Sequence, residues 1–430
     1  MYFRNPFVGR QLQISVLLLA TSFALLSTGT ARSEPLTLNQ AELIALNEEP
    51  GIQGLQAMSS SMQERSVAEG QLMDPKIQIG LLNLPTDTFD FDQEAMTQLK
   101  VSYIQQFPAG NTLQIKQQKA IMQSDQVHSR AEERKRDILK QVRLSYLEIL
   151  YWDQAKITIE KNRILLTQLV DIVQSLFSVG RNNQRDVLTV QLGLSKLDDR
   201  TTMIDQKITA QRLKLAQWLG DASSQQELQQ QFPNFNLPDL DRDMQGLIEL
   251  VKSHPKILEI DHSLEITRKD IEIVDESSKS GWGLNVSYSF RDDAPNGTSR
   301  ADFLSAVVTL DLPLFTDQRQ DKQKLSKEWN YQSQKDQRNA TLRKMAADLY
   351  QLKEDQRLLE KRLVIYRDQL LPQVQQRSDA ALQAYQSDSG QFSNLMQAYI
   401  ESLNIKLEET RIVIDRLKTQ AQILYLLPSS

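Results

Sequence analysis

Apolar residues recur along this chain with two different periods, and each period marks a different element. From 110 to 180 there is neither glycine nor proline between the bounding glycines, and Ile138, Val142, Tyr146, Ile149 and Leu150 fall at three- and four-residue spacing with polar residues between. That pattern predicts one amphipathic helix of about 70 residues. A second such helix is expected from Asp317 toward Tyr385, with Pro372 kinking or breaking it after Leu370. Each long helix is followed by a short turn and a returning helix, from Asp186 to Leu219 and from Asn394 to Leu427. Helices of this length cannot fill a compact globule, so they must pack along one another as hairpins.

The other period is two. Leu284, Val286, Tyr288 and Phe290 alternate with Asn285, Ser287 and Ser289, and Leu304, Ala306, Val308, Leu310 and Leu312 repeat the pattern. Ile77, Ile79 and Leu81 share one face of an earlier segment, as do Leu99, Val101 and Tyr103 of the next. These read as half-buried antiparallel strands of about nine to eleven residues, enough for a tilted bilayer crossing. The strands are placed at about 76–84, 97–107, 282–291 and 302–314, and polar loops rich in Asp, Asn, Thr and Pro join each pair.

The order of elements is written twice. Pro50 recurs as Pro255, Tyr146 as Tyr350 and Phe177 as Tyr385, which predicts two structural repeats. The first spans 32–220, with its hairpin at about 109–220. The second spans 244–428, with its hairpin at about 316–427, and 221–243 links them. Four strands cannot close a barrel, and in lipid every strand edge needs a partner. Three chains related by a threefold axis would supply about twelve strands. The fold class expected is therefore an α+β membrane protein with internal duplication, in which long α-helical hairpins form a periplasmic tunnel. Its four β-strands per chain contribute to a twelve-stranded trimeric transmembrane β-barrel.

Composition narrows the setting. The apolar run from Leu12 to Leu26 follows Arg4 and Arg10 and precedes Gly29-Thr30-Ala31, the layout of a secretory signal peptide over 1–31. The run is too short to cross a bilayer as a helix. Removing the two arginines takes the formal charge from -5 to -7, unlike a nucleic-acid binder. With no cysteine in the chain, disulfides, thiolate metal sites and cysteine nucleophiles are excluded. There is no nucleophile elbow, phosphate loop or His-centred constellation, so no enzyme, catalytic residue or cofactor is expected. His128, His254 and His262 form no ligand cluster. Met58, Met62, Met73 and Met96 read as packing before soft-metal ligands.

Three motifs carry a resemblance to a known family. Val308-Thr309-Leu310-Asp311-Leu312-Pro313-Leu314-Phe315 ends the last strand, with a looser copy at Val101-Ser102-Tyr103-Ile104-Gln105-Gln106-Phe107-Pro108. The tip Phe177-Ser178-Val179-Gly180 is followed by Asp186-Val187-Leu188. In order and in duplicate, these resemble the TolC family of outer-membrane efflux channels over essentially the whole mature chain. The resemblance implies a homotrimer in outer-membrane lipid that docks on a periplasmic adaptor and an inner-membrane pump, proton-driven in this reading. Asp74-Pro75-Lys76, Asn83-Leu84-Pro85 and the segment from Met96 to Pro108 look like the subgroup that accompanies heavy-metal efflux pumps. Organic drugs and secreted polypeptides are the alternative cargoes. A periplasmic coiled-coil adaptor or scaffold is a weaker reading, since it leaves the duplicated strands unexplained.

The same resemblance implies roles for particular residues. Asp186 and Tyr385 would hold the periplasmic entrance shut, although a helix-start carboxylate and hairpin packing would also place them there. Gly180, Arg181, Asn182 and Asn183, with Ser387, Asp388, Ser389 and Gly390, would form the adaptor-contacting hairpin ends. Asp388 equally suits a turn residue that satisfies local backbone donors. Tyr103, Trp282 and Tyr288 are the candidate membrane-belt aromatics.

Overall fold

A computed structural model describes residues 34–181, 183–387 and 389–427. The signal segment 1–31, Asn182 and Asp388 lie outside the described residues. The first half runs α1 (Leu38–Glu48), α2 (Pro50–Glu69), β1 (Lys76–Leu82), β2 (Gln98–Phe107), α3 (Thr112–Ser178) and α4 (Gln184–Ser224). The second repeats that order as α5 (Met244–Val251), α6 (Pro255–Glu276), β3 (Trp282–Phe290), β4 (Phe303–Leu310), α7 (Gln320–Ile365), α8 (Leu371–Gln386) and α9 (Phe392–Leu426).

Local sequence explains where the elements start and stop. Thr37 and Gln40 form a reciprocal capping box at α1. Pro50 and Pro255 occupy the first helical position of α2 and α6, where a missing N–H costs nothing. The residues before them do the capping. Glu49 accepts from the Ile52 amide at 2.7 Å, and His254 accepts through Nδ1 from the Lys256 amide at 3.1 Å. Regular helix in α4 ends at Gly220, whose φ of 72° only glycine adopts freely. With 67 residues, α3 is about 100 Å long.

The strands are seven to ten residues long, so β1 and β4 are shorter than the periodicity predicts. At β1 the reason is Asn83, which turns the chain at φ 55° and donates from Nδ2 to the Met96 carbonyl at 3.0 Å.

Pro372 does not break its helix. A π-helical turn over Tyr366–Leu370 carries α7 into α8 with helical dihedrals throughout. The Leu371 amide reaches back five residues to the Tyr366 carbonyl. That wider turn accommodates the proline ring, which would otherwise meet the carbonyl of Asp368.

The sheet is antiparallel in the order β1-β2-β3-β4, so the β2–β3 pair joins the two halves. In the helical body α2, α3, α6 and α7 pack side by side in that order. Further down, α4 returns along α3, α9 returns along α7 and α8, and α3 against α9 holds the hairpins together. Tyr146 sits in the central core with Ile138, Leu147, Ile149, Leu150 and Leu417, and its hydroxyl donates to the Leu36 carbonyl at 2.9 Å. Burial pushes that phenol up to about 12. A separate cluster of Ile159, Leu166, Leu169, Val190, Leu395 and Met396 packs the lower hairpins. Ion pairs stitch the helices where they approach, as when Glu148 of α3 accepts from Arg411 of α9 at 3.0 Å.

Candidate functional site

The sheet is built with its apolar side outward. The register places Ile79, Val101, Tyr288 and Leu304 in one row across all four strands, and Ile79 and Leu304 are 69% and 77% exposed. The next row, on the opposite face, is Gln78, Ser102, Ser287 and Ser305, with Ser102 and Ser287 almost completely buried. Alternation is as the sequence predicts, but the face that a water-soluble protein would bury is the one left open. An apolar surface of this extent needs a non-aqueous partner. Such alternation, apolar outward and polar inward, is the pattern of a lipid-facing barrel wall. Lys76 and Lys100 are the charged residues in the strands, and the strands carry no Asp, Glu, His or Cys. Nothing on the sheet is equipped to ligate a metal ion.

Both outer strands, β1 and β4, lack a second partner within the chain. Their unpaired backbone groups cannot face hydrocarbon, so another chain must complete them. At the far end the polar loops are tied together by arginines. Arg291 donates to the Ala95 carbonyl at 3.1 Å, and Arg300 to the Asp92 carbonyl at 2.9 Å.

The belt aromatics separate by position. Trp282 begins β3 and stacks on Phe107, with ring centroids 4.0 Å apart. Tyr288 lies toward the loops, where its hydroxyl bonds Asp302. Tyr103 sits opposite Ile77 and Val286, midway along the apolar band rather than at its edge. Phe107 and Phe290, which share the alternation of their strands, were the residues to add.

At the opposite end lie the hairpin tips. Gly180 has φ 73°, and the Arg181 amide closes the helix by donating to the Leu176 carbonyl at 2.9 Å. In the second tip Ser389 and Gly390 both donate to the Ala384 carbonyl, at 3.0 and 2.9 Å. There glycine is needed for closeness, because a Cβ on Gly390 would lie 2.9 Å from that of Ala384. Asp186 occupies the first turn of α4, and its amide donates to the Asn183 carbonyl at 3.0 Å. Tyr385 ends α8 with its ring 5.4 Å from that of Phe392. A cleft of about 400 Å³ joins the two hairpins, lined by Leu176 and Arg181 from the first and by Leu382, Tyr385 and Ser387 from the second. The structure thus brings Tyr385 near Arg181, and Asp186 does not line this cleft. The tips also differ in polarity. Phe177, Val179, Leu188 and Leu192 of the first are exposed, whereas Ile400 is the large apolar residue exposed along the second.

Among the described residues no group of three or more His, Cys, Asp or Glu could hold a metal ion. His254 is fully buried, with Nε2 donating to the Tyr425 carbonyl at 3.0 Å. Burial, with Arg136, Lys140 and Lys256 nearby, lowers its pKa to about 4. It is a capping residue, neutral at physiological pH.

No family model matches this sequence, and no curated protein matches it. Solved structures do. The outer membrane protein VceC of Vibrio cholerae is 16% identical at a TM-score of 0.74, over 90% of this chain and 95% of that one. CusC, described for transmembrane channel formation, is 12% identical at 0.76, over 91% and 92%. The open MtrE outer membrane channel of Neisseria gonorrhoeae is 12% identical at 0.72, over 90% and 88%. This is the TolC-family outer-membrane channel fold. Within the channel fold the exposed sheet face and the two hairpin tips are the opposite ends of one elongated protomer. No helix among the described residues is long and apolar enough to cross a membrane, so only the sheet offers itself to a bilayer.

Proposed function

We propose that this chain is the outer-membrane subunit of a tripartite efflux system. Three copies close a twelve-stranded barrel in outer-membrane lipid, and their hairpins enclose a duct through the periplasm. The observation that carries this is the four-stranded sheet with its apolar face outward and both edges open. A periplasmic adaptor docks at the hairpin tips, and a proton-driven inner-membrane pump supplies cargo and energy, so the chain itself catalyses nothing. The division into repeats 32–220 and 244–428 belongs to this reading, since each repeat supplies one strand pair and one hairpin. Outer-membrane fractionation, detergent-resistant trimers and single-channel conductance are the expected results. A monomer in the soluble periplasmic fraction would overturn the proposal.

Heavy-metal cations are the cargo favoured here, supported by Asp74-Pro75-Lys76 and the turn at Asn83-Leu84-Pro85. With no ligand set on the strands, selection falls to the pump. Deletion followed by challenge with copper, silver, zinc, cobalt and organic antibiotics tests this, and sensitivity to the organic compounds alone would remove the metal cargo.

Asp186 and Tyr385 are proposed as the gate, supported by their positions at the tips. A hydrogen bond between such groups contributes about 0.5–1.5 kcal/mol. Asp186→Ala is therefore expected to raise resting conductance and sensitivity to large antibiotics. Wild-type values for both would argue against the gate.

A further inference from the structure

The two long helices are treated differently by their own chain. Helix α3 lies between α2 and α6, whereas α7 has α6 on one side and nothing on the other. On that open side stands Trp329, 73% exposed on an otherwise polar helix. Solvent exposure of a tryptophan here has no explanation within one copy.

The internal duplication says what belongs against it. Ser124 meets α2 through Ser59 at 2.9 Å, and Tyr331 meets α6 through Arg268 at 3.1 Å. Superposing those positions of α3 and α7 sets Trp329 on Met122, one turn from Lys119. Lys119 and Arg130 form the face of α3 that packs on α6, pairing with Asp270 at 2.5 Å and Glu259 at 2.8 Å. Superposing Pro255 on Pro50 carries Glu259, Ile266 and Asp270 of α6 onto Gly54, Ser61 and Arg65 of α2. That side of α2 is open in the monomer: Ser61 is exposed, and nothing lies within 4 Å of where a Cβ on Gly54 would be.

We propose that α7 of one copy docks on this face of α2 in a second copy, with Trp329 as the anchor over Ser61 between Met58 and Arg65. The proposal rests on the trimeric reading above and assigns its helical seam. A small residue leaves room for the indole. Met58, 44% exposed, offers a thioether, and Arg65 offers a guanidinium to the ring face. The facing positions of α7, Ser326, Ser333 and Gln337, are uncharged, so the seam buries no unpaired charge on that side. Because the contact is head to tail, it closes only by rotation, and three copies leave no Trp329 exposed.

The absence of cysteine makes a direct test possible. In Ser61→Cys/Asn330→Cys, mild oxidation of the membrane-assembled protein should give covalent species of two and three chains. A detergent-stable, conducting trimer that does not cross-link would overturn the seam and leave the channel reading standing. A monomer would overturn both. Trp329→Ala should speed trimer dissociation about tenfold or more, with Trp329→Phe closer to wild type. Dissociation of Trp329→Ala at the wild-type rate would remove the anchor.

Discussion

The sheet and the helical body use the same alphabet in opposite senses. In the body, Ile138, Leu147, Ile149 and Leu150 are buried and the charged residues face outward in ion pairs. In the sheet, Ile79, Val308 and Leu304 are exposed while Ser102, Ser287 and Ser289 are buried. A hydrophobic pattern therefore fixes period and register but not which face a protein hides; the solvent around each region decides that. One chain spans two solvents, and the change of sense falls between β-strands and helices.

The largest expected effect breaks this comparison on the sheet. Val286 lies mid-strand on the outward face, opposite Tyr103 and Ala306. Val286→Arg should cost about 2–4 kcal/mol per chain at the bilayer midplane and abolish outer-membrane trimers. Ser305→Arg, on the other face, should assemble normally and change only conductance. Equal loss in both variants would show that the faces are not differentiated.

A smaller effect tests the body. His254 is held neutral with its pKa near 4, against an ordinary value of about 6.5, so between those values the unfolded chain binds more protons than the folded one. Stability contributed by this residue is thus present above pH 6.5 and lost as pH falls toward 4, by on the order of 3 kcal/mol. His254→Asn, which keeps a capping side chain, should flatten that part of the pH dependence of thermal unfolding. An unaltered slope would mean that other groups carry it. The smallest effect concerns Tyr146, whose hydroxyl satisfies the Leu36 carbonyl. Tyr146→Phe should destabilise the chain by about 1 kcal/mol in the same assay, with assembly intact.

Much of the architecture was legible because it is written in long periodic runs. The span of α3 follows from a stretch without glycine or proline, and the strand faces follow from strict alternation at residues such as Val286 and Ser287. What the sequence left open depends on partners distant in the chain. Nothing near Pro372 announces that a π-helical turn absorbs it. The place of Tyr103 in the middle of the apolar band becomes visible only from its pairing with Val286. The meeting of Tyr385 with Arg181 joins two hairpins, and the exposure of Trp329 depends on which neighbour a helix lacks. Local pattern encodes period; the neighbour on each face is set by topology.

Lipid contact on the sheet is the central claim, and single cysteines in this cysteine-free chain report on it directly. Spin labels placed one at a time along 283–289 in the bilayer-reconstituted protein should alternate. Positions 284, 286 and 288 should be accessible to oxygen dissolved in lipid, and 283, 285, 287 and 289 to a water-soluble nickel reagent. Uniform access by the aqueous reagent at both sets would contradict the account.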